Sequence, residues 1–232
     1  MAVPVVRFPI FPLLRLIGIT LAALTIIWTQ RFRGGMALVS EDKALIFNVH
    51  PVLMLIGFLL LNGEAMIAYK ALSGTKGLKK IVHLFLQFLA LCFGVIGVWA
   101  AWKFHNEKGV DNFYSLHSWL GLACLFFFGI QWAAGFVTFW YPGGSRNSRA
   151  GLLQWHVFFG IYIYALAVAT CTTGFLEKAT FLQMHKIISR YSTEALLINS
   201  LGIMTVVLAG LVILAVVSPS KENFEKREVL KV

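Results

Sequence analysis

The stretch Ser115–Phe139, SLHSWLGLACLFFFGIQWAAGFVTF, decides the fold. It runs for 25 residues without an aspartate, glutamate, lysine or arginine, and its one histidine, His117, stands near its start. About 20 apolar residues, rising 1.5 Å each, cross the roughly 30 Å hydrocarbon core of a bilayer. A soluble strand does not reach this length, and a soluble helix keeps one polar face.

Working outward, five further apolar stretches appear at about 13–30, 45–69, 81–102, 152–174 and 194–217, with the quoted span at about 116–140. The 232 residues are 59% hydrophobic and 13% charged, where a soluble domain carries about 25% charge. The net charge of +10 does not point to nucleic acid, because the basic residues form short clusters between apolar runs. The first stretch lacks a small-x-small cleavage site after Leu24 and is bracketed by Arg15 and Arg31, so it reads as an uncleaved span. The expectation is an all-α membrane protein: one domain over 1–232 with six transmembrane helices. Spans two to five form a central four-helix bundle, and 218–232 form a short tail. Cys92, Cys124 and Cys171 all fall inside spans, and their odd number favours buried, inert thiols over a disulfide framework.

Orientation follows from lysine and arginine in the connections. Arg7, Arg15, Lys70, Lys76, Lys79, Lys80, Arg146, Arg149, Lys221, Lys226, Arg227 and Lys231 collect on one side, twelve in all. Eight lie on the other: Arg31, Arg33, Lys43, Lys103, Lys108, Lys178, Lys186 and Arg190. The positive-inside rule places both termini in the cytosol.

Four of the six histidines lie just inside spans two to five, one per span: His50, His83, His117 and His156. An ionisable group within a span marks function, because an unpaired one is costly there. Alternating helix direction sorts them into two layers, His50 with His117 on the non-cytosolic side and His83 with His156 on the cytosolic side. The layers are about 20–28 Å apart at 1.5 Å per residue, so one metal cannot reach all four. Two histidines on facing helices supply both axial ligands of one haem, and neutral imidazole on iron removes the lone polar group from lipid. Gly121 and Gly160 each follow a histidine at i+4 on the same face, a spacing that lets a porphyrin approach the backbone. Gly57 and Ala90 lie two turns from His50 and His83.

Bis-histidine iron has no open position, which favours electron relay over oxygen or substrate chemistry. The aromatics Phe126, Phe127, Phe128, Phe158 and Phe159 read as lipid-facing or haem-packing. A quinol-oxidising di-haem cytochrome b subunit is the nearest alternative, yet such subunits commonly place two histidines on one helix about two heptads apart, and no helix here does. A transporter with a histidine proton relay would put polar groups near the midplane, where these spans are mostly apolar.

Tyr114-Ser115-Leu116-His117-Ser118-Trp119-Leu120-Gly121 resembles the SLHSW signature of the cytochrome b-561 family, and Phe47-Asn48-Val49-His50-Pro51 and Lys76-x-x-Lys79-Lys80-x-x-His83 match as well. The resemblance covers nearly the whole chain. It implies a typically dimeric six-helix bundle with two haem b, in an endomembrane such as a vacuole or secretory vesicle, or in the plasma membrane. Members are ascorbate-dependent oxidoreductases that take electrons from cytosolic ascorbate and deliver them to monodehydroascorbate or ferric chelates across the membrane. The resemblance also favours Lys76, Lys80 and Arg149 as ascorbate contacts. It places an acceptor site near His105, read as a residue of the loop before span four beside Lys103, Asn106 and Tyr114. Free of iron, His105 could bind the acceptor and pass a proton. The turn Tyr141-Pro142-Gly143-Gly144-Ser145 offers backbone N–H groups to an anion. One departure is Tyr69-Lys70, where the family commonly has tyrosine–arginine; a lysine is a point charge without the arginine fork. His185 reads as interfacial.

Overall fold

The computed structural model describes residue 6 and residues 8–219. Arg7, Lys221, Lys226, Arg227 and Lys231, counted above toward orientation, lie outside the described residues, as does the tail beyond Pro219. Six helices are long and apolar enough to cross a membrane: α1 (Ile10–Phe32), α2 (Lys43–Ala71), α3 (Lys76–Lys108), α4 (Leu116–Phe139), α5 (Arg146–Met184) and α6 (Thr193–Val217). Among the described residues there is no strand. The protein is therefore an all-α, multi-pass membrane protein. Six crossings bring the start of α1 and the end of α6 to one face, here the termini face; the other is the far face.

Polar punctuation sets the helix ends. Thr75, Ser115, Ser145 and Ser192 cap α3, α4, α5 and α6 by accepting from the backbone N–H of Leu78, Ser118, Ser148 and Ala195 at 3.2–3.3 Å. Each such bond satisfies one orphan amide and stabilises the helix by about 1 kcal/mol. At the far end α3 stops only at Gly109, which takes the left-handed conformation at φ 65°. His105 therefore sits on the last turn of α3, and its expected place in a loop is corrected. Hydrated polar residues prolong a helix beyond the hydrocarbon, and only the glycine ends it. At 33 and 39 residues, α3 and α5 are about 50 and 58 Å long, so both overshoot the core.

Large apolar side chains such as Ile19, Leu176 and Ile203 are two-thirds exposed on helix flanks, as expected where lipid is the solvent. With no hydrophobic drive between helices in lipid, small residues decide which surfaces meet. Ala90, Gly94, Gly97 and Ala100 form a buried stripe on α3 against α2. A Cβ on Gly94 would collide with the Phe58 ring, and one on Gly57 would fall 2.8 Å from Phe93 Cβ. The pair Gly57 and Ala90, singled out in the sequence, thus meets at the α2–α3 contact, where Gly57 lies against the Ala90 carbonyl. Within α2, Leu55–Leu61 forms a π-helical segment between the two turns that face the histidine layers.

A second core joins α1, α2, α5 and α6 through residues such as Leu21, Trp28, Leu59, Tyr164, Ile198 and Leu201. At the far face the buried Glu194 carboxylate accepts from Trp28 Nε1 at 2.9 Å and from Arg33 at 2.5 Å, tying α1 to α6. All three cysteines are free thiols.

Candidate functional site

The close α2–α3 approach brings backbone carbonyls within reach of histidine rings. His50 Nδ1 donates to the Gly97 carbonyl at 2.9 Å, and His83 Nδ1 donates to the Ala65 carbonyl at 2.8 Å. The first bond runs from α2 to α3 and the second from α3 to α2. Across the α4–α5 contact, His117 Nδ1 donates to the Thr170 carbonyl at 2.9 Å. A ring whose Nδ1 holds its proton against a carbonyl leaves Nε2 as the lone-pair nitrogen, the tautomer a metal needs. His156 is held differently: Gln131 Nε2 donates to its backbone carbonyl at 2.6 Å, and its ring packs against Phe139 at 5.3 Å between centroids.

The rings pair as the alternation of spans expects. His50 and His117 lie 5.9 Å apart between ring centroids, and His83 and His156 lie 6.1 Å apart. The hydrogen bonds give the layer separation. Ala65, bonded to His83, is fifteen residues beyond His50 on α2, and Thr170, bonded to His117, is fourteen beyond His156 on α5. At 1.5 Å per residue the layers are about 21 Å apart. Among the described residues, no group of three or more histidine, cysteine, aspartate or glutamate side chains is placed to hold a metal ion.

The glycines four residues after His117 and His156 lie under side chains of a neighbouring helix. A Cβ on Gly121 would sit 3.3 Å from Thr170 Cγ2, and one on Gly160 would sit 3.7 Å from Gln131 Nε2. Thr170 and Gln131 are the residues that bond His117 and His156; the contact at Gly121 is tight, so that glycine makes room for Thr170, whereas the contact at Gly160 is an ordinary one. The glycines against the rings themselves are Gly174 and Gly135, where a Cβ would come within 2.8 Å of His117 Cε1 and 3.0 Å of His156 Cε1. Sequence spacing did not reveal them, because each lies on the helix facing its histidine.

At the termini face, Lys76 and Arg149 are exposed, and Lys80 is half-buried with its ammonium 5.2 Å from the Trp140 ring centroid. Among the described residues, Lys76, Lys80, Arg146 and Arg149 form no salt bridge. Lys70 is drawn away from this cluster: its ammonium donates to the carbonyls of Ala215, Val216 and Ser218, capping the end of α6. The 141–145 turn does not offer its glycine amides to an anion, because Gly143 and Gly144 N–H donate to the Val137 and Thr138 carbonyls.

At the far face, His105 stacks on Tyr114 at 6.5 Å and lies 6.0 Å from Phe104, whose neighbour Phe47 lies 6.0 Å from His50. Tyr114 donates to Glu177 Oε1 at 2.8 Å, and burial together with that carboxylate pushes the phenol up to about 12. His185 lies just beyond α5, its ring 4.1 Å from that of Phe181, apart from both pairs.

A family model described as eukaryotic cytochrome b561 matches residues 49–182, which include all four paired histidines. Over 220 residues the chain is 64% identical to a transmembrane ascorbate ferrireductase 2 of Arabidopsis thaliana, covering 94% of this chain and 96% of that protein. It is 45% identical to an ascorbate-specific transmembrane electron transporter 1 of Zea mays, over 88% of this chain and 86% of the relative. A transmembrane ascorbate-dependent reductase of Sus scrofa is 37% identical, over 86% and 78%. With the fold, the paired histidines and these matches in agreement, the chain belongs to the eukaryotic cytochrome b561 family.

Proposed function

We propose that the protein carries electrons across its membrane through two haem b groups, one held by His50 and His117 and the other by His83 and His156. It takes the electrons from cytosolic ascorbate and passes them to monodehydroascorbate or a ferric chelate on the other side. The carrying observation is the repeated pair: two imidazoles about 6 Å apart between centroids at each end of one bundle. Two imidazoles leave an iron short of donors, and a planar tetrapyrrole supplies the other four. Gly174 and Gly135 leave the ring edges clear, and Nδ1 bonding presets Nε2 in three of the four rings. A haem held by two of these histidines would supply reversible one-electron chemistry.

The names of the relatives, an ascorbate ferrireductase and an ascorbate-specific electron transporter, support ascorbate as the donor. Ascorbate is a small monoanion, and Lys76, Lys80, Arg146 and Arg149 surround the N-termini of α3 and α5. A cation in the first turn of a helix opposes its dipole, so helix stability does not account for them. Lys76, Lys80 and Arg149 bind the donor. His105, stacked beside the far pair and bonded to neither ring, binds the acceptor. On this reading both termini are cytosolic and the working unit in the lipid is a homodimer.

The test is haem stoichiometry. His83→Ala or His156→Ala should lose the termini-face haem, and His50→Ala or His117→Ala the other. The haem-to-protein ratio should fall from about two toward about one with the matching part of the reduced absorbance band. Full retention of both haems in His50→Ala would overturn the pairing, and a colourless parent protein would overturn the function.

A further inference from the structure

We propose that Glu177 is a positioning residue for the electron acceptor, holding Tyr114 against His105 so that the two rings form a fixed docking face. The inference rests on the acceptor reading given above. Tyr114 belongs to the short link between α3 and α4, and its side chain is 60% exposed. Side-chain bonds tie this link to its own flanking helices: Asn112 Nδ2 to Asn106 Oδ1 at 2.8 Å, Trp119 Nε1 to the Phe113 carbonyl at 3.0 Å, and the bonds between Ser115 and Ser118. Among the described residues, the bond from the Tyr114 hydroxyl to Glu177 Oε1, 2.8 Å, is the side-chain bond that ties the link to α5. Phe113, just before it, has φ 58°, a left-handed conformation that a bulky side chain adopts only when its surroundings impose it. That turn delivers Tyr114 to α5.

The same stretch of α5 also meets the far site at two further points. Gly174, one turn before Glu177, lies against the His117 ring. Lys178, the next residue, places its ammonium 4.6 Å from the centroid of Phe47, the neighbour of His50. Glu177 thus sets the acceptor face from the segment that also borders the His117 ring and Phe47. Its second oxygen, Oε2, is buried without a hydrogen-bond partner, so the carboxylate depends on Tyr114. The phenol, raised to about 12, remains a donor at ordinary pH.

Without the bond an exposed tyrosine on a short link samples other rotamers, and the acceptor must order it on binding. The effect falls on acceptor KM more than on kcat. The asymmetry is specific. Removing Glu177 leaves a phenol that water satisfies, whereas removing the Tyr114 hydroxyl strands a buried carboxylate and also destabilises the protein.

The experiment uses full-length protein in vesicles, with ascorbate at the termini face and monodehydroascorbate, generated in the assay, at the far face. Glu177→Ala should raise acceptor KM about tenfold, the worth of one bond to a charged group, with haem spectra and reduction by ascorbate unchanged. Glu177→Gln should stay within about twofold of the parent, because a carboxamide oxygen accepts the same bond. Tyr114→Phe should match Glu177→Ala, and the double variant should add nothing. Amide hydrogen exchange over residues 109–115 reads the positioning without turnover: faster in Glu177→Ala, unchanged in Glu177→Gln. The proposal is overturned by an unchanged KM or exchange rate in Glu177→Ala, by a Gln variant as weak as Ala, or by additive effects. A parent protein that passes no electrons to the acceptor overturns the function instead, and the exchange measurement still judges the role of Glu177.

Discussion

The two histidine pairs have nearly the same ring separation, 5.9 and 6.1 Å, yet they are held in different ways. At the far face both rings bond a backbone carbonyl of a neighbouring helix, His50 that of Gly97 and His117 that of Thr170. At the termini face His83 has such a bond and the His156 ring has none among the described residues; packing against Phe139 and Gly135 places it. A ring with a bonded Nδ1 is fixed in rotation and in tautomer, whereas a packed ring is fixed in rotation only. The surfaces differ in one local respect: Arg15 pairs with Glu64 at the termini face and Lys43 with Glu107 and Arg33 with Glu194 at the far face, whereas the cluster Lys76, Lys80, Arg146 and Arg149 has no acidic partner among the described residues. Hydrogen bonds preset the far site, and the termini site is more open to adjustment.

The largest expected effect comes from filling the two ring-edge glycines. In Gly174→Ala the new methyl meets His117 Cε1 at 2.8 Å, closer than real contacts allow, and the bond to Thr170 stops the ring from yielding. In Gly135→Ala the contact is 3.0 Å and the unbonded His156 ring can turn aside. Gly174→Ala should therefore lose most of the far-face haem while Gly135→Ala keeps most of the other, both measured as haem per protein. Equal losses would mean that the Nδ1 bonds do not restrain the rings.

Next in size is the charge contrast. Lys80→Ala with Arg149→Ala removes two cations from the termini face and should weaken apparent ascorbate affinity by about five- to a hundred-fold, since a charge-assisted bond contributes about 1–3 kcal/mol. Haem content and electron delivery at the far face should be unaltered. Unchanged ascorbate kinetics would leave these residues as topology signals alone.

What the sequence made legible follows from the kind of signal each feature leaves. Six spans appear because bilayer thickness imposes a length on every apolar run, and four histidines stand out because ionisable groups are rare in such runs. Their pairing follows from alternating direction alone. The bonds at Nδ1 are illegible, because their acceptors are the main-chain carbonyls of Ala65, Gly97 and Thr170, and any residue has one. Gly121 and Gly160 were visible at i+4, yet what each meets, Thr170 or Gln131, is set across a helix interface. His105 was misplaced because Lys103, Asn106, Glu107 and Lys108 have a loop-like composition, and composition does not say that the helix continues to Gly109. Glu177 left no local sign, since its partner Tyr114 lies on another element.

The smallest expected effect isolates the one bond that steadies His156. Gln131 Nε2 reaches across from α4 to the His156 carbonyl at 2.6 Å. That carbonyl lies within the regular part of α5, where its helical bond remains when the glutamine is gone. Gln131→Leu keeps the volume and strands no buried acceptor, so its cost is that of one ordinary hydrogen bond, about 1 kcal/mol. The termini-face haem should then transfer to an excess of a haem-free acceptor protein about fivefold faster, with the far-face haem unaffected. Gly160→Ala is the control: its methyl would lie 3.7 Å from Gln131 Nε2, an ordinary contact, and should change neither rate. A Gln131→Leu protein that releases the far-face haem faster would show that the two sites are held as one unit, and the contrast between bonded and packed histidines would fail.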